Sequence, residues 1–477
     1  MYATFSLLLL SVVTLSSYAL QELPERARGG RAYKEFLQKH NDKISQLKTA
    51  TAQTWNAQVD NFDATNNATF EQRYYLDDQY WLKGGKKGPV FFLISGEGTL
   101  SGPPGGYVAT LGEEYSALLV TLEHRFYGES IPEGNAVTSN YNKHLNVEQA
   151  LGDLSGFTNY VKQRLAPESR SVPWVIFGGS YSGGLSSWYR AAYPQQSVAA
   201  LSSSGVVNCI VDFYQFDMQV SAAAGNKCGD KIKRVQEAFR NTISDGGEEG
   251  LQKALSKFHC EKDMSVRDFY FMIADSWSMT IQYSAKSQIC AALDGISSSS
   301  TDEEVMDTFA AFSNDFWGDD FCSMGFYNTK ALADPARWDV NSRSWRFQTC
   351  SQVSYFNTAP TSGSLRSYSL DLEYHLEQCA AIFGQKMFPT SPQFNQHFGG
   401  EFPRAKNVFY SNFADDPWQR AGVWFAPSTD QPYHLAECDD CGHCLDLHTP
   451  DAQTDPAQLQ ESRAQFEYYL ADWLQQE

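Results

Sequence analysis

The stretch VPWVIFGGSYSGGLSSWYR, residues 172–190, constrains the fold more than any other part of this chain. An apolar run from Val172 to Phe177 ends in Gly178 and Gly179, then a serine, then small residues that open a helix. This is the pattern of a nucleophile elbow, a sharp strand-to-helix turn that lifts one serine above a sheet. Such a turn is strained and brings backbone close to backbone, which is why glycines flank it. It also sets the serine at a helix N-terminus, where free N–H groups can receive developing negative charge. A small-x-Ser-x-small string also arises by chance, and its weight here comes from the strand before it and the helix after it. Both Gly178–Ser182 and Ser180–Gly184 satisfy the string. Ser180 comes sooner after the apolar run and fits better, but spacing alone leaves Ser182 open.

A serine hydroxyl is a poor nucleophile unless a base takes its proton and a carboxylate orients that base. In the α/β-hydrolase order the carboxylate and then the histidine follow the serine. Of nine histidines, His434, His443 and His448 come with or after the last strand-like segments. His434 falls inside such a segment, QPYHLAE, and reads as structural; His443 lies in the loop after it, where a base is expected, and His448 is its weaker rival. SNFADDPWQRAG offers Asp415 and Asp416, although adjacent acids are more often a solvated turn. The Tyr181 amide would be one oxyanion donor, and an amide near Glu97 or Gly98, in the loop after FFLIS, the second. Glycines in that loop could equally serve only the turn. Glu123, His124 and Arg125 follow another strand-like run and read as structural, with Arg125 and Glu123 as paired buried supports.

A chain of 477 residues can bury a large core, as one big domain or two. A net charge of −19 argues against nucleic acid or an anionic membrane as partner. The N-terminal apolar stretch, about Phe5 to Leu15, is too short to span a bilayer and reads as a signal peptide, residues 1–19, cleaved after Ala19. Its n-region lacks Lys and Arg, and no later segment is long and apolar enough to be transmembrane. A secreted or lysosomal (vacuolar) location follows, and with it a glycosylation acceptor at Asn67 in the Asn-Ala-Thr sequon. The ten cysteines, all from Cys209 onward, suit an oxidising compartment. Cys438, Cys441 and Cys444 are spaced like metal ligands around His443, but after a signal peptide disulfides are the better reading and no metal is expected.

Residues 31–50 read as a surface helix. RYYLDDQYWL, GPVFFLIS and ALLVTLEHRFYG then read as strands, followed by the helical VEQALGDLSGFTNYVKQRL. Strand alternating with helix argues a mostly parallel α/β sheet. Between about 210 and 385 the strand signal fades into helical segments such as KCGDKIKRVQEAFRNTI and TDEEVMDTFAAF, with seven of the ten cysteines between Cys209 and Cys379. Strands return at NVFYSNF and QPYHLAE before a last helix. The expected organisation is an α/β-hydrolase domain in two parts, 20–209 and 386–477, interrupted by a disulfide-stapled helical cap at 210–385.

QRYYLDDQYW, FLISGEG, LEHRFYGES, FGGSYSGGLSSW, SNFADDPW and GHCLDL occur in the order found in the prolyl exopeptidases. From about Glu71 to the C-terminus the chain resembles that family, which groups prolylcarboxypeptidase, dipeptidyl peptidase 2 and thymus-specific serine protease. FQTC, DPW and HCLDL resemble the last of these in particular. The resemblance implies the serine of GGSY, Ser180, as nucleophile, the aspartate before Pro-Trp, Asp416, and the histidine before Cys-Leu-Asp, His443. It also implies hydrolysis of peptides next to a proline near one chain end, without metal or organic cofactor. Proline-containing peptides are then the expected partners, with a homodimer left open. Spacing suggests disulfides Cys228–Cys290, Cys260–Cys322 and Cys350–Cys379, while pairing among Cys209, Cys438, Cys441 and Cys444 stays open. Departures are Ser182, where relatives carry Gly or Ala, and SSSGVV at 202–207, which replaces a Ser-Ala-Pro-like run. The rival readings are a lipase or esterase on the same fold, and a binding protein that keeps the fold without catalysis. Carboxypeptidase and dipeptidyl peptidase specificity are not distinguished.

Overall fold

The computed structural model describes residues 51–475 apart from 82–86, 320, 323–325 and 338. The signal peptide and the helix expected at 31–50 lie outside the described residues. Among the described residues eight strands form one sheet: β1 (Gln53–Gln58), β2 (Thr69–Asp77), β3 (Val90–Ile94), β4 (Leu118–Leu122), β5 (Trp174–Gly179), β6 (Ala199–Ser203), β7 (Val408–Phe413) and β8 (Tyr433–Ala436). Their order is β1-β2-β4-β3-β5-β6-β7-β8. The β1–β2 and β2–β4 pairs are antiparallel, and every pair from β4 to β8 is parallel. With the nucleophile candidate directly after β5, this is the α/β-hydrolase arrangement.

The central strands are apolar on both faces because helices cover both. Phe92, Val120 and Ile176 point into a core shared with Leu151, Leu154 and Phe157 of α3 (Val147–Tyr160) and Leu185 of α4 (Ser180–Ala192). Their neighbours Phe91, Leu119 and Phe177 face the other way, onto Tyr107 and Leu111 of α1 (Gly106–Glu114) and Phe466, Leu470 and Trp473 of α13 (Ala457–Trp473). A short helix, α2 (Thr138–His144), lies between β4 and α3. Two strands have no sequence signal of the usual kind: β1, QTWNAQ, is a mostly polar edge strand, and β6, AALSS, is built from small residues. Partners on both sides, not β-propensity, make β6 a central strand.

Between β6 and β7 the chain is helical: α5 (Tyr214–Ser256), α6 (Val266–Gln282), α7 (Lys286–Leu293), α8 (Asp302–Trp317), α9 (Thr329–Ala333), α10 (Val340–Gln348), α11 (Leu372–Phe383) and α12 (Ser391–Phe398). Several of these helices start on a side-chain cap, as where Thr301 and Glu304 cap each other at α8. Disulfides Cys228–Cys290, Cys260–Cys322 and Cys350–Cys379 staple this helical cap. A fourth, Cys438–Cys441, closes a tight loop in the last part of the chain, and Cys209 and Cys444 remain buried thiols.

The Arg125–Glu123 pair expected from the sequence does not form. Both residues are buried, but Arg125 grips Asp153 of α3 through Nε at 2.6 Å and Nη2 at 2.5 Å. Glu123 accepts from Leu100 N at 2.8 Å and Ser130 Oγ at 2.5 Å and faces Arg73 at 3.6 Å. Two side chains two positions apart point different ways, so each found a partner on another segment.

Candidate active site

The site is built on the carboxyl ends of four neighbouring strands, the usual ligand rim of an open α/β sheet. In register, Gly179 of β5 lies beside Ser203 of β6, Ser203 beside Ser411 of β7, and Phe413 of β7 beside Ala436 of β8. Ser180 follows β5, Asp416 follows β7 and His443 follows β8.

Ser180 adopts φ 57°, a left-handed conformation rare for a side-chain-bearing residue. It is half-buried, whereas Ser182 is buried, and Ser182 Oγ donates to Gly179 O at 2.7 Å and accepts from Gly179 N at 3.1 Å. The Ser182 hydroxyl is thus committed to closing the turn. Gly178 is required for a steric reason: a Cβ there would lie 2.0 Å from Ser182 O. The Ser180 carbonyl accepts from Val206 N at 3.3 Å, and Ser204 Oγ accepts from Cys444 N at 2.9 Å. The turn after β6 therefore joins the serine to the histidine loop.

His443 Nδ1 donates to Asp416 Oδ2 at 2.8 Å, with both side chains buried. Asp416 Oδ1 accepts from Trp418 N at 2.9 Å, which fixes the carboxylate plane. His443 Nε2 is buried and has no hydrogen-bond partner among the described residues. Each rival is placed elsewhere. Asp415 turns to Lys286 at 2.9 Å, His434 lies in β8 opposite Ser411, and the His448 carbonyl accepts from Arg463 Nη2 at 3.0 Å.

The serines of the 202–207 run supply structure around the site. Ser202 Oγ donates to Gly183 O at 2.8 Å, and Ser203 and Ser411 both donate to Asp446, just past the histidine. Burial raises the Asp446 carboxyl above its usual range, against the pull of those hydroxyls and Arg463.

The loop carrying Glu97 and Gly98 lies against the elbow, since a Cβ on Gly96 would sit 3.8 Å from the Ser182 side chain. The Glu97 carboxyl itself was not part of the sequence reading. Desolvation raises it, opposed by its own backbone amide and by the charge of His443. The Tyr181 phenol is buried between Gln348 Nε2 at 2.7 Å and His124 Nε2 at 3.1 Å.

Aromatic rings wall the site. Trp418 is 6.3 Å and Tyr283 6.4 Å from His443 between ring centres. Trp418 meets Tyr355 at 5.7 Å, and Tyr355 stacks with Trp345 at 6.5 Å. Trp345 and Trp418 are only partly buried. Trp418 had a local signal, two positions after Asp416; Trp345 and Tyr355 come from the cap and had none.

The serine carboxypeptidase S28 family model matches residues 57–466. The chain belongs to this family. It is an S28 serine peptidase, hence a hydrolase. Thymus-specific serine protease of Homo sapiens is 28% identical over 87% of this chain and 85% of its own length. Lysosomal Pro-X carboxypeptidase of Homo sapiens is 26% identical, covering 87% and 86% respectively. A relative from Arabidopsis thaliana, named "Probable serine protease", is 31% identical over 86% of this chain and 83% of its own. No helix among the described residues of the S28 peptidase is long and apolar enough to cross a membrane.

Proposed function

We propose that this S28 peptidase is an exopeptidase that cuts next to proline near a chain end, using Ser180, Asp416 and His443. The reading is carried by the 2.8 Å His443–Asp416 bond, which leaves Nε2 without a partner among the described residues, on the rim where Ser180 emerges. Nε2 takes the Ser180 proton as Oγ attacks the scissile carbonyl, and Asp416 holds the tautomer and stabilises the imidazolium. The amides of Tyr181 and of Glu97 or Gly98 receive the oxyanion. His443 then gives its proton to the leaving amine. Water, deprotonated by His443, attacks the acyl-enzyme, releasing the carboxylate product and restoring Ser180.

Proline fits the aromatic wall because its ring is apolar and it brings no N–H to be left unpaired there. One relative is named a Pro-X carboxypeptidase, and the same preference is extended here to this chain. The N-terminal segment and the disulfides support a secreted or lysosomal location. Asn67 is exposed just before β2 and is accessible for glycosylation.

The test is mass spectrometry of peptides with proline second from either end, with blocked termini as controls. Release of an X-Pro dipeptide assigns a dipeptidyl peptidase, and release of the single residue after proline a carboxypeptidase. Ser180→Ala should lower the rate by roughly a millionfold and abolish labelling by a serine-reactive phosphonate. Cleavage restricted to proline-free peptides would sink the proline preference, and labelling that survives Ser180→Ala would sink the nucleophile.

A further inference from the structure

The loop that carries His443 is docked on the helical cap as well as on its own sheet. His443 N donates to Gln282 O at 2.7 Å and Gly442 N to Ser284 Oγ at 3.0 Å. The approach is so close that a Cβ on Gly442 would lie 2.1 Å from Gln282 O. Ser287 N donates to Asp440 Oδ1 at 3.0 Å. The turn between α6 and α7 therefore runs along the whole segment leading to the histidine.

At its centre stands Lys286. Its ammonium lies 2.9 Å from Asp415 Oδ2 and 3.1 Å from Asp439 Oδ1. Asp415 directly precedes Asp416, and its backbone N donates to Cys441 O at 2.9 Å. Asp439 sits inside the loop closed by Cys438–Cys441. One cation thus bridges the strand end that presents Asp416 and the loop that presents His443. The two halves of the bridge differ in weight. Asp439 is fully exposed, and such a pair contributes little. The Asp415 side chain is 7% exposed, and a carboxylate at that depth is costly to leave without its partner. Burial raises the Asp415 carboxyl, and Lys286 opposes that shift.

We propose that Lys286 is a positioning residue: delivered by the cap turn that also carries the His443 loop, it holds Asp416 and His443 in mutual register by neutralising and anchoring the buried Asp415 beside Asp416. This rests on the role given above to Asp416 and His443. Cap and triad are then mechanically one unit, and catalytic competence depends on how the cap is seated.

The test compares wild type, Lys286→Met, Lys286→Arg and the double variant Lys286→Met/Asp415→Asn. The readouts are the rate of phosphonate labelling at Ser180, kcat and KM on the best peptide, and the thermal midpoint. Lys286→Met should lower the labelling rate and kcat by roughly 10- to 100-fold with KM little changed. Arginine, which keeps the charge and can reach both carboxylates, should restore most of the rate. The double variant should recover part of it, because a neutral amide in place of the Asp415 carboxylate needs no counter-charge. Labelling of Lys286→Met at the wild-type rate would overturn the proposal. So would a deficit that neither rescue relieves, or a loss of rate that merely follows a lowered thermal midpoint. A wild-type chain that does not label at all would instead overturn the reading of the site itself.

Discussion

Ser180 and His443 stand on the same rim of one sheet, but the structures that hold them are drawn from different distances along the chain. The elbow is closed by its own neighbours: Gly178 gives room to the Ser182 carbonyl, and Ser182 bonds both polar groups of Gly179. The histidine loop is held by remote ones. Cys444 N bonds Ser204, 240 residues away, His443 N bonds Gln282 of the cap, and Arg463 of α13 donates to the Asp446, Leu445 and His448 carbonyls. A turn made from adjacent residues forms with its strand and helix, whereas a loop assembled from four segments forms only when all of them are in place. Damage to the first should therefore show as lost fold, and damage to the second as lost activity.

Asp416→Asn sharpens this contrast most. The substituted amide can keep the bond from Trp418 N but leaves His443 with the wrong tautomer, so kcat should fall by about four orders of magnitude with the thermal midpoint nearly unchanged. A coincident collapse of stability, seen by calorimetry, would mean that the histidine side is structural after all. Gly178→Ala should do the reverse. Its Cβ meets backbone, which cannot step aside, and the expected loss is about 3 kcal/mol or more in urea unfolding. A well-folded Gly178→Ala chain with wild-type stability would break the claim that the elbow is sterically closed.

The smallest effect is on pH. His124 packs against Tyr181 on the elbow side, and burial pushes its pKa from 6.5 down to about 4. Between those values the unfolded chain binds more protons, so stability rises with pH; the contribution is complete above 6.5 and is lost as pH falls toward 4. It amounts to about 3 kcal/mol at most. On the histidine side, Asp415 and Asp446 have raised pKa values, so they act oppositely: their contribution is full below 3.8 and declines as pH rises through the folded values. Urea midpoints from pH 4 to 8 should show a flatter acid limb for His124→Gln and a flatter decline at higher pH for Asp446→Asn. Unchanged slopes in both variants would remove this electrostatic difference between the two sides.

The elbow, the central strands β3, β4, β5 and β7 and the order of the candidate site residues were legible in the chain itself. Their signals are local: a continuous apolar run marks a strand buried on both faces, and glycines on either side of a serine mark a turn that only glycine permits. The choice of His443 over His434 and His448 also followed from chain order, since His443 comes first in the loop after the last strand. Spacing did not separate Ser180 from Ser182, and the hydroxyl geometry that distinguishes them is tertiary. The same holds for Arg125, which left its near neighbour Glu123 for Asp153, and for Cys441, which took Cys438 and left Cys444 a thiol. Lys286, Trp345 and Tyr355 reach the site from the cap, through a path of helices that no residue near Ser180 or His443 encodes. Sterics and hydrophobic periodicity act over a few residues and can be read in order, whereas ion pairs and aromatic contacts depend on where the folded chain brings distant segments together.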